Sequence, residues 1–205
     1  TECAYGNVVS LRTNPGGCYL HSHPLTYPEV LVKGRLQQIA GYRAKDENND
    51  FRILFPDDDP DQADGYYAGA PEVVMHGDMV RLYHIQTRSM LRCSKQRAVM
   101  SRKHFLVYAK PTNLTEWWEA EQKTPEPSSE ELWEVHIENG TTASAVEALR
   151  TPVQFICGGY RCALTWTDEK LPPGVNGYRH QEVSCSKNLN DPKTVWHVEK
   201  NINPY

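Results

Sequence analysis

The sequence predicts an all-β fold with pseudo-threefold symmetry, and three observations carry that expectation. The chain repeats itself, its apolar residues alternate in short β-branched or aromatic runs rather than at helical spacing, and its length variation falls between the repeated positions. Gly6-Asn-Val-Val-Ser-Leu-Arg12 aligns with Gly77-Asp-Met-Val-Arg-Leu-Tyr83, and a weaker third copy runs Thr151-Pro-Val-Gln-Phe-Ile156. Val9, Val80 and Val153 then mark one position at offsets of 71 and 73 residues, and Leu11, Leu82 and Phe155 follow two residues on, along the same strand face.

The same offsets carry Leu20 to Leu91 and Leu164, and two further positions recur as Ile39, Val107, Val183 and as Phe51, Trp133, Trp196. A unit of a few short strands cannot bury its apolar face alone. Three units that each contribute strands to a closed barrel and a hairpin to a cap share one core and leave no open edge, which is the β-trefoil arrangement. Two sandwiched sheets would not predict a threefold repeat. The chain therefore reads as one domain over residues 1–205, with repeats at roughly 1–60, 73–140 and 147–205.

Loops are located by where the repeats differ. Val107 to Trp133 spans 26 residues against 12 and 13 in the other units, and the excess, Pro111 to Glu130, holds Pro, Glu and Ser as solvated loops do. Trp117-Trp118 within it predicts a loop that packs back on the barrel or meets a partner. The acidic run Asp57-Asp-Asp-Pro-Asp61 reads as a solvated charge run.

Composition narrows the function classes. A net charge of -4 and a pI near 6.1 exclude a nucleic-acid binder, which needs a basic field. A mean hydropathy of -0.64 and the lack of any apolar run of about 18 residues predict no transmembrane segment and no direct membrane insertion. Beginning at Thr1, the sequence reads as a piece of a longer chain. The six cysteines show no C-x-x-C pair, which leaves buried free thiols or one or two disulfides as open readings. Sequons at Asn113 and Asn139 point toward the secretory lumen.

Chemistry-bearing residues cluster in the first repeat. His21 and His23 share a strand face and would begin a metal site, yet no Cys, Asp or Glu follows at a motif spacing, so neither metal nor cofactor is expected. No nucleophile elbow, phosphate-cradling glycine loop or framed acid pair is present, so no catalysis by this chain is expected. Leu20, His21, Ser22, His23, Gln37 and Gln38 are the candidate ligand-binding residues, either as turn-stabilising groups or as a polar pocket. Neutral imidazole and amide groups exchange hydrogen bonds with hydroxyls in both directions, whereas Arg92 and Lys95 at the matching place in repeat 2 only donate. Tyr19, Tyr27 and Tyr42 are candidate stacking faces.

Leu20-His-Ser-His23 followed by Tyr27-Pro28, Gln37-Gln38 and Lys45-Asp-Glu-Asn-Asn49 resembles the first MIR repeat of the protein O-mannosyltransferase family. His76-Gly-Asp-Met-Val-Arg-Leu-Tyr-His84 with Thr87, then Leu171-Pro, Gln181-Glu-Val-Ser-Cys185 and Trp196-His-Val-Glu199, extend the resemblance over nearly the whole chain. It departs from the family at Leu36, at Leu91-Arg-Cys-Ser94, at Leu164-Thr-Trp166 and at Pro173-Gly-Val-Asn-Gly177.

The resemblance implies three MIR repeats in a non-catalytic domain facing the endoplasmic reticulum lumen, attached to a membrane-embedded glycosyltransferase whose active site lies outside this chain. It implies a glycan or a Ser/Thr-rich acceptor protein as ligand. The alternatives are a structural or subunit-interaction trefoil with no ligand of its own, and a soluble lumenal MIR protein of the chaperone type.

Overall fold

In the computed structural model, which describes residues 1–13, 17–60, 71–112, 128–173 and 179–204, each repeated segment forms four strands. The first set is β1 (Val8–Thr13), β2 (Tyr19–Thr26), β3 (Gln37–Tyr42) and β4 (Phe51–Leu54). The second is β5 (Met79–His84), β6 (Ser89–Arg97), β7 (Phe105–Pro111) and β8 (Trp133–His136). The third is β9 (Gln154–Cys157), β10 (Cys162–Lys170), β11 (Gln181–Ser186) and β12 (Trp196–Ile202). No helix among the described residues is long and apolar enough to cross a membrane.

Six strands close a barrel. Val9 pairs with Phe51, Ile53 with Leu82, Val80 with Trp133, Val135 with Phe155, Val153 with Trp196 and Val198 with Leu11, so the ring returns to β1. The other six form the hairpins β2–β3, β6–β7 and β10–β11. Each hairpin lends one strand to a triangular cap, where Gln38 pairs with Tyr108, Leu106 with Ser184, and Glu182 with Ala40. The fold is the all-β trefoil. All fifteen repeated anchors are buried, and all lie in one apolar cluster.

A second, smaller cluster beneath the cap is organised by Tyr27, which is buried and places its hydroxyl 2.7 Å from the Val107 carbonyl and 3.1 Å from that of Ile39. Burying a phenol requires such a partner, and here the partners belong to two different repeats.

The turn ahead of each first barrel strand needs a left-handed residue. Gly6 (φ 85°) and Gly77 (φ 88°) supply it, each donating its N–H to a carbonyl at 2.7 Å. The third copy makes the same 2.7 Å bond from Leu149 at φ 66°. A leucine there carries a steric cost of about 1–2 kcal/mol, and the residue is 68% exposed, so packing returns little.

The acidic run is less solvated than its composition suggests. Asp58 is half-buried and accepts the Phe55 N–H at 3.0 Å, and its carbonyl accepts from Arg81. Asp61, Trp117 and Trp118 lie outside the described residues. Of the two cysteine readings both apply: Cys162 and Cys185 are disulfide-bonded, while Cys3, Cys18, Cys93 and Cys157 are buried free thiols.

Leu20→Ala should cost about 2–5 kcal/mol in a denaturant titration, since the site is fully enclosed by barrel neighbours. Leu149→Gly should instead stabilise by up to ~1 kcal/mol, with relief of the left-handed strain outweighing the added chain entropy; a loss of stability would mean that the exposed leucine makes packing contacts the turn depends on.

Candidate functional site

Strand β2 divides the six candidate residues between two environments. Leu20 points into the barrel and is core. Ser22 is fully buried, donates to the Gln38 carbonyl at 2.6 Å and accepts from Gln37 Nε2 at 2.9 Å. Gln37 Nε2 also lies 2.8 Å from the Thr87 hydroxyl and 3.1 Å from that of Ser89, in the second repeat. His84 joins this network: a carbonyl only accepts, so Nε2 donates to Asn48 O at 2.8 Å and Nδ1 accepts from Thr87 at 2.6 Å. Ser22 and Gln37 therefore spend their hydrogen-bonding capacity on joining repeats 1 and 2.

His21 and His23 face away from this network and meet His180, which directly precedes β11. The ring centroids stand 5.5 Å apart for His21–His23, 5.3 Å for His21–His180 and 4.8 Å for His23–His180, and Tyr42 packs 4.7 Å from His21. Asn49 sets the tautomer of His21. Its Nδ2 is committed to the Ala44 carbonyl at 2.9 Å, so its Oδ1 accepts the His21 Nδ1–H at 2.8 Å. Burial first, then the surrounding imidazoles, lowers both His21 and His23 from 6.5 to about 4. His180 and His84 are lowered by burial as well.

Gln38 serves a third setting. Its side chain donates to the Thr26 carbonyl at 3.1 Å and forms part of the wall of a cleft of about 360 Å³. Thr26 lines the cleft from the end of β2, Pro28 and Arg35 line it from the β2–β3 connection, and Pro172 lines it from the β10–β11 connection. Arg35 is exposed, and the rim continues into Val30 (92% exposed) and Leu31. The cleft thus combines amide, hydroxyl and guanidinium groups with proline faces.

Of the candidate stacking rings, Tyr27 is buried by its carbonyl partners and Tyr19 is buried with its hydroxyl on Glu199 at 2.7 Å, which leaves Tyr42 partly accessible beside the histidines. Arg92 is not a surface donor. Its side chain is 13% exposed, 3.8 Å from Glu130 and 3.9 Å from Glu131, with its guanidinium over the Tyr108 ring. Asn139 sits exposed in a turn at φ 57°, and Asn113 lies outside the described residues.

Sequence reasoning missed His180 because its partners are 157 and 159 residues away and belong to another repeat. The signal was topological: β3 pairs with β11 in the cap, Gln181 opposite Gly41, which sets His180 beside Tyr42. A second cluster, Cys93, Cys157 and Cys162, is wholly buried, and Cys162 is already committed to Cys185.

No family model matches the chain. Protein O-mannosyl-transferase 2 of Drosophila melanogaster is 34% identical over 201 residues, covering 98% of this chain and 24% of that protein. The structure of the S. cerevisiae protein O-mannosyltransferase Pmt1-Pmt2 complex bound to the sugar donor matches with a TM-score of 0.77 and 26% identity, over 99% of this chain and 26% of that one. The SDF2-like protein from Arabidopsis thaliana shares the fold at a TM-score of 0.74 and 18% identity, over 98% of this chain and 97% of that one. The chain spans about a quarter of the length of the curated relatives it matches.

The depressed histidine values have a stability consequence with a definite sign. Between pH 6.5 and about 4 the unfolded chain binds protons that folded His21 and His23 refuse, so stability present above pH 6.5 is lost as pH falls toward 4. Urea midpoints followed across that window should drop, and they should drop less in a His21→Gln/His23→Gln variant. Equal slopes in the two proteins would place the acid sensitivity elsewhere.

Proposed function

We propose that this chain, homologous to a domain-sized region of the protein O-mannosyltransferases, is a non-catalytic lumenal MIR trefoil that holds glycan or Ser/Thr-rich acceptor protein for a membrane-embedded transferase. The observation that carries the reading is the cleft beside Gln38. A sugar or a Ser/Thr-rich peptide offers many hydroxyls and little apolar area. Gln38 and Thr26 match it with donors and acceptors, Arg35 adds a forked donor, and the Pro28 and Pro172 rings offer flat apolar faces.

The mannosyl transfer itself is assigned, by the family resemblance, to the membrane-embedded remainder of the parent enzyme. That remainder is the first proposed partner, and a second transferase subunit is another, on the pattern of the yeast complex. The endoplasmic reticulum lumen is the proposed compartment. It suits the Cys162–Cys185 disulfide, which needs an oxidising setting, and the sequons at Asn113 and Asn139, of which Asn139 is exposed. One shallow site of this kind binds weakly, and useful avidity requires a polymeric substrate engaging several sites at once.

The test uses the 205-residue chain, titrated with mannose, manno-oligosaccharides and Ser/Thr-rich peptides while amide shifts are followed by NMR. Shifts should map to Thr26–Leu31, Arg35 and Gln38, and Arg35→Ala should weaken binding by about tenfold, the worth of one charge-assisted hydrogen bond, with an unchanged thermal midpoint. Lys103→Ala, on an exposed turn, is the control. The parent enzyme carrying Arg35→Ala should mannosylate acceptor protein more slowly. Absence of any shift at millimolar ligand, with normal mannosylation by the parent, would leave the structural or subunit-interaction reading in its place.

A further inference from the structure

We propose that His21, His23 and His180 form a binding site for a divalent cation of the zinc class, joining the first and third repeats. The inference is independent of the glycan reading, because it concerns the imidazole face of β2 and not the cleft.

Three features of the cluster point to a cation. Each histidine offers one ring nitrogen, and these atoms all lie within 4.8 Å of one another. A tetrahedral zinc with Zn–N bonds of about 2.0–2.1 Å sets its ligand nitrogens about 3.4 Å apart, so modest rotation of the rings closes the set. His21 is already held for ligation: Asn49 accepts its Nδ1–H, which turns the Nε2 lone pair free, and Asn49 is itself fixed by the Ala44 carbonyl. This is how metal-binding imidazoles are oriented from behind. His23 Nε2, finally, is shielded from solvent and has no hydrogen-bond partner among the described residues. A buried ring nitrogen without a partner is a cost that a bound cation would remove.

The donor set selects the class of ion. Three imidazoles without a carboxylate suit zinc, copper, nickel or cobalt and do not suit calcium or magnesium, which take oxygen ligands. The ligating form is neutral imidazole, which is already the main form of an ordinary histidine at pH 7. Three protein ligands leave one tetrahedral position for water or a further ligand. A cation here would tie β2 to the start of β11, and so brace the two hairpins whose connections wall the cleft.

The experiment titrates the metal-free 205-residue chain with zinc chloride by calorimetry, and with cobalt chloride by visible absorption. The expected result is one ion per chain, tetrahedral cobalt bands that zinc displaces, and a thermal midpoint that rises with zinc and not with calcium. His180→Ala should lower zinc affinity more than tenfold, and its half-buried position outside the strands makes the variant tolerable to the fold. His23→Gln, which keeps a polar side chain of similar reach, should do the same. His136→Ala, a histidine remote in the chain from the cluster, should leave affinity unchanged. Failure of the folded chain to bind zinc at millimolar concentration would overturn the proposal, as would binding indifferent to both His180→Ala and His23→Gln; the cluster would then be a packing arrangement of neutral imidazoles.

Discussion

Three backbone hydrogen bonds close a ring about the pseudo-threefold axis, and the rest of the structure depends on that closure. Cys3 donates to the Val146 carbonyl at 2.8 Å, Val146 to Val74 at 3.0 Å, and Val74 back to Cys3 at 2.8 Å. All three residues are buried, at equivalent places ahead of β1, β5 and β9. A repeat taken alone would leave its share of this ring unpaired, together with one side of each barrel strand, and buried unpaired amides are not tolerated. The cap repeats the logic with strands, because β3, β7 and β11 each pair with the other two. Stability is therefore a property of three units together, and no subset of them satisfies its own backbone.

Closure fixes the backbone and leaves the side chains at equivalent places free to diverge, which is where local character enters. Trp133 and Trp196 each send an indole N–H to the carbonyl of the matching leucine, Leu91 and Leu164, at 3.2 and 2.9 Å. Phe51 takes that place in repeat 1 and has no donor; its ring instead lies 5.0 Å from that of His84. Cys162 and Cys185 form a disulfide in repeat 3, while the positions 144 residues earlier hold Cys18 and Gly41. A Cβ at Gly41 would come within 2.9 Å of the Cys18 sulfur, so repeat 1 fills with one thiol the space that repeat 3 fills with a covalent bridge.

What was legible in the sequence is what the symmetry repeats. Val9, Leu20, Ile39 and Phe51 with their equivalents could be found by offset because each occupies the same barrel position three times, and burial demands an apolar residue every time. Tertiary pairings that occur once leave no such trace. His180 meets His21 through the β3–β11 contact, which no offset displays. Leu149 occupies a position that glycine marks in the other repeats, and its identity hid the turn. The cysteine pairing was equally invisible, since spacing without strand register leaves every combination open. Resemblance marked residues 20–23 and 37–38 as special, yet Ser22 and Gln37 are special for the network they build with Thr87 and Ser89.

That network constrains where recognition can occur. A ligand hydroxyl competing for Ser22 would have to break a 2.6 Å bond to Gln38 O and strand the Gln37 amide inside the protein, and each stranded group costs about 1–3 kcal/mol. One hydrogen bond to a sugar does not return that much. Ser22 and Gln37 are therefore costly places for the proposed ligand to bind, and their value to the proposed site is indirect. By fixing the Gln38 backbone and the geometry of β2 and β3, the network sets the Gln38 amide on the Thr26 carbonyl at the wall of the proposed cleft, and leaves the exposed Arg35 as the group that a ligand would meet with only solvent to displace.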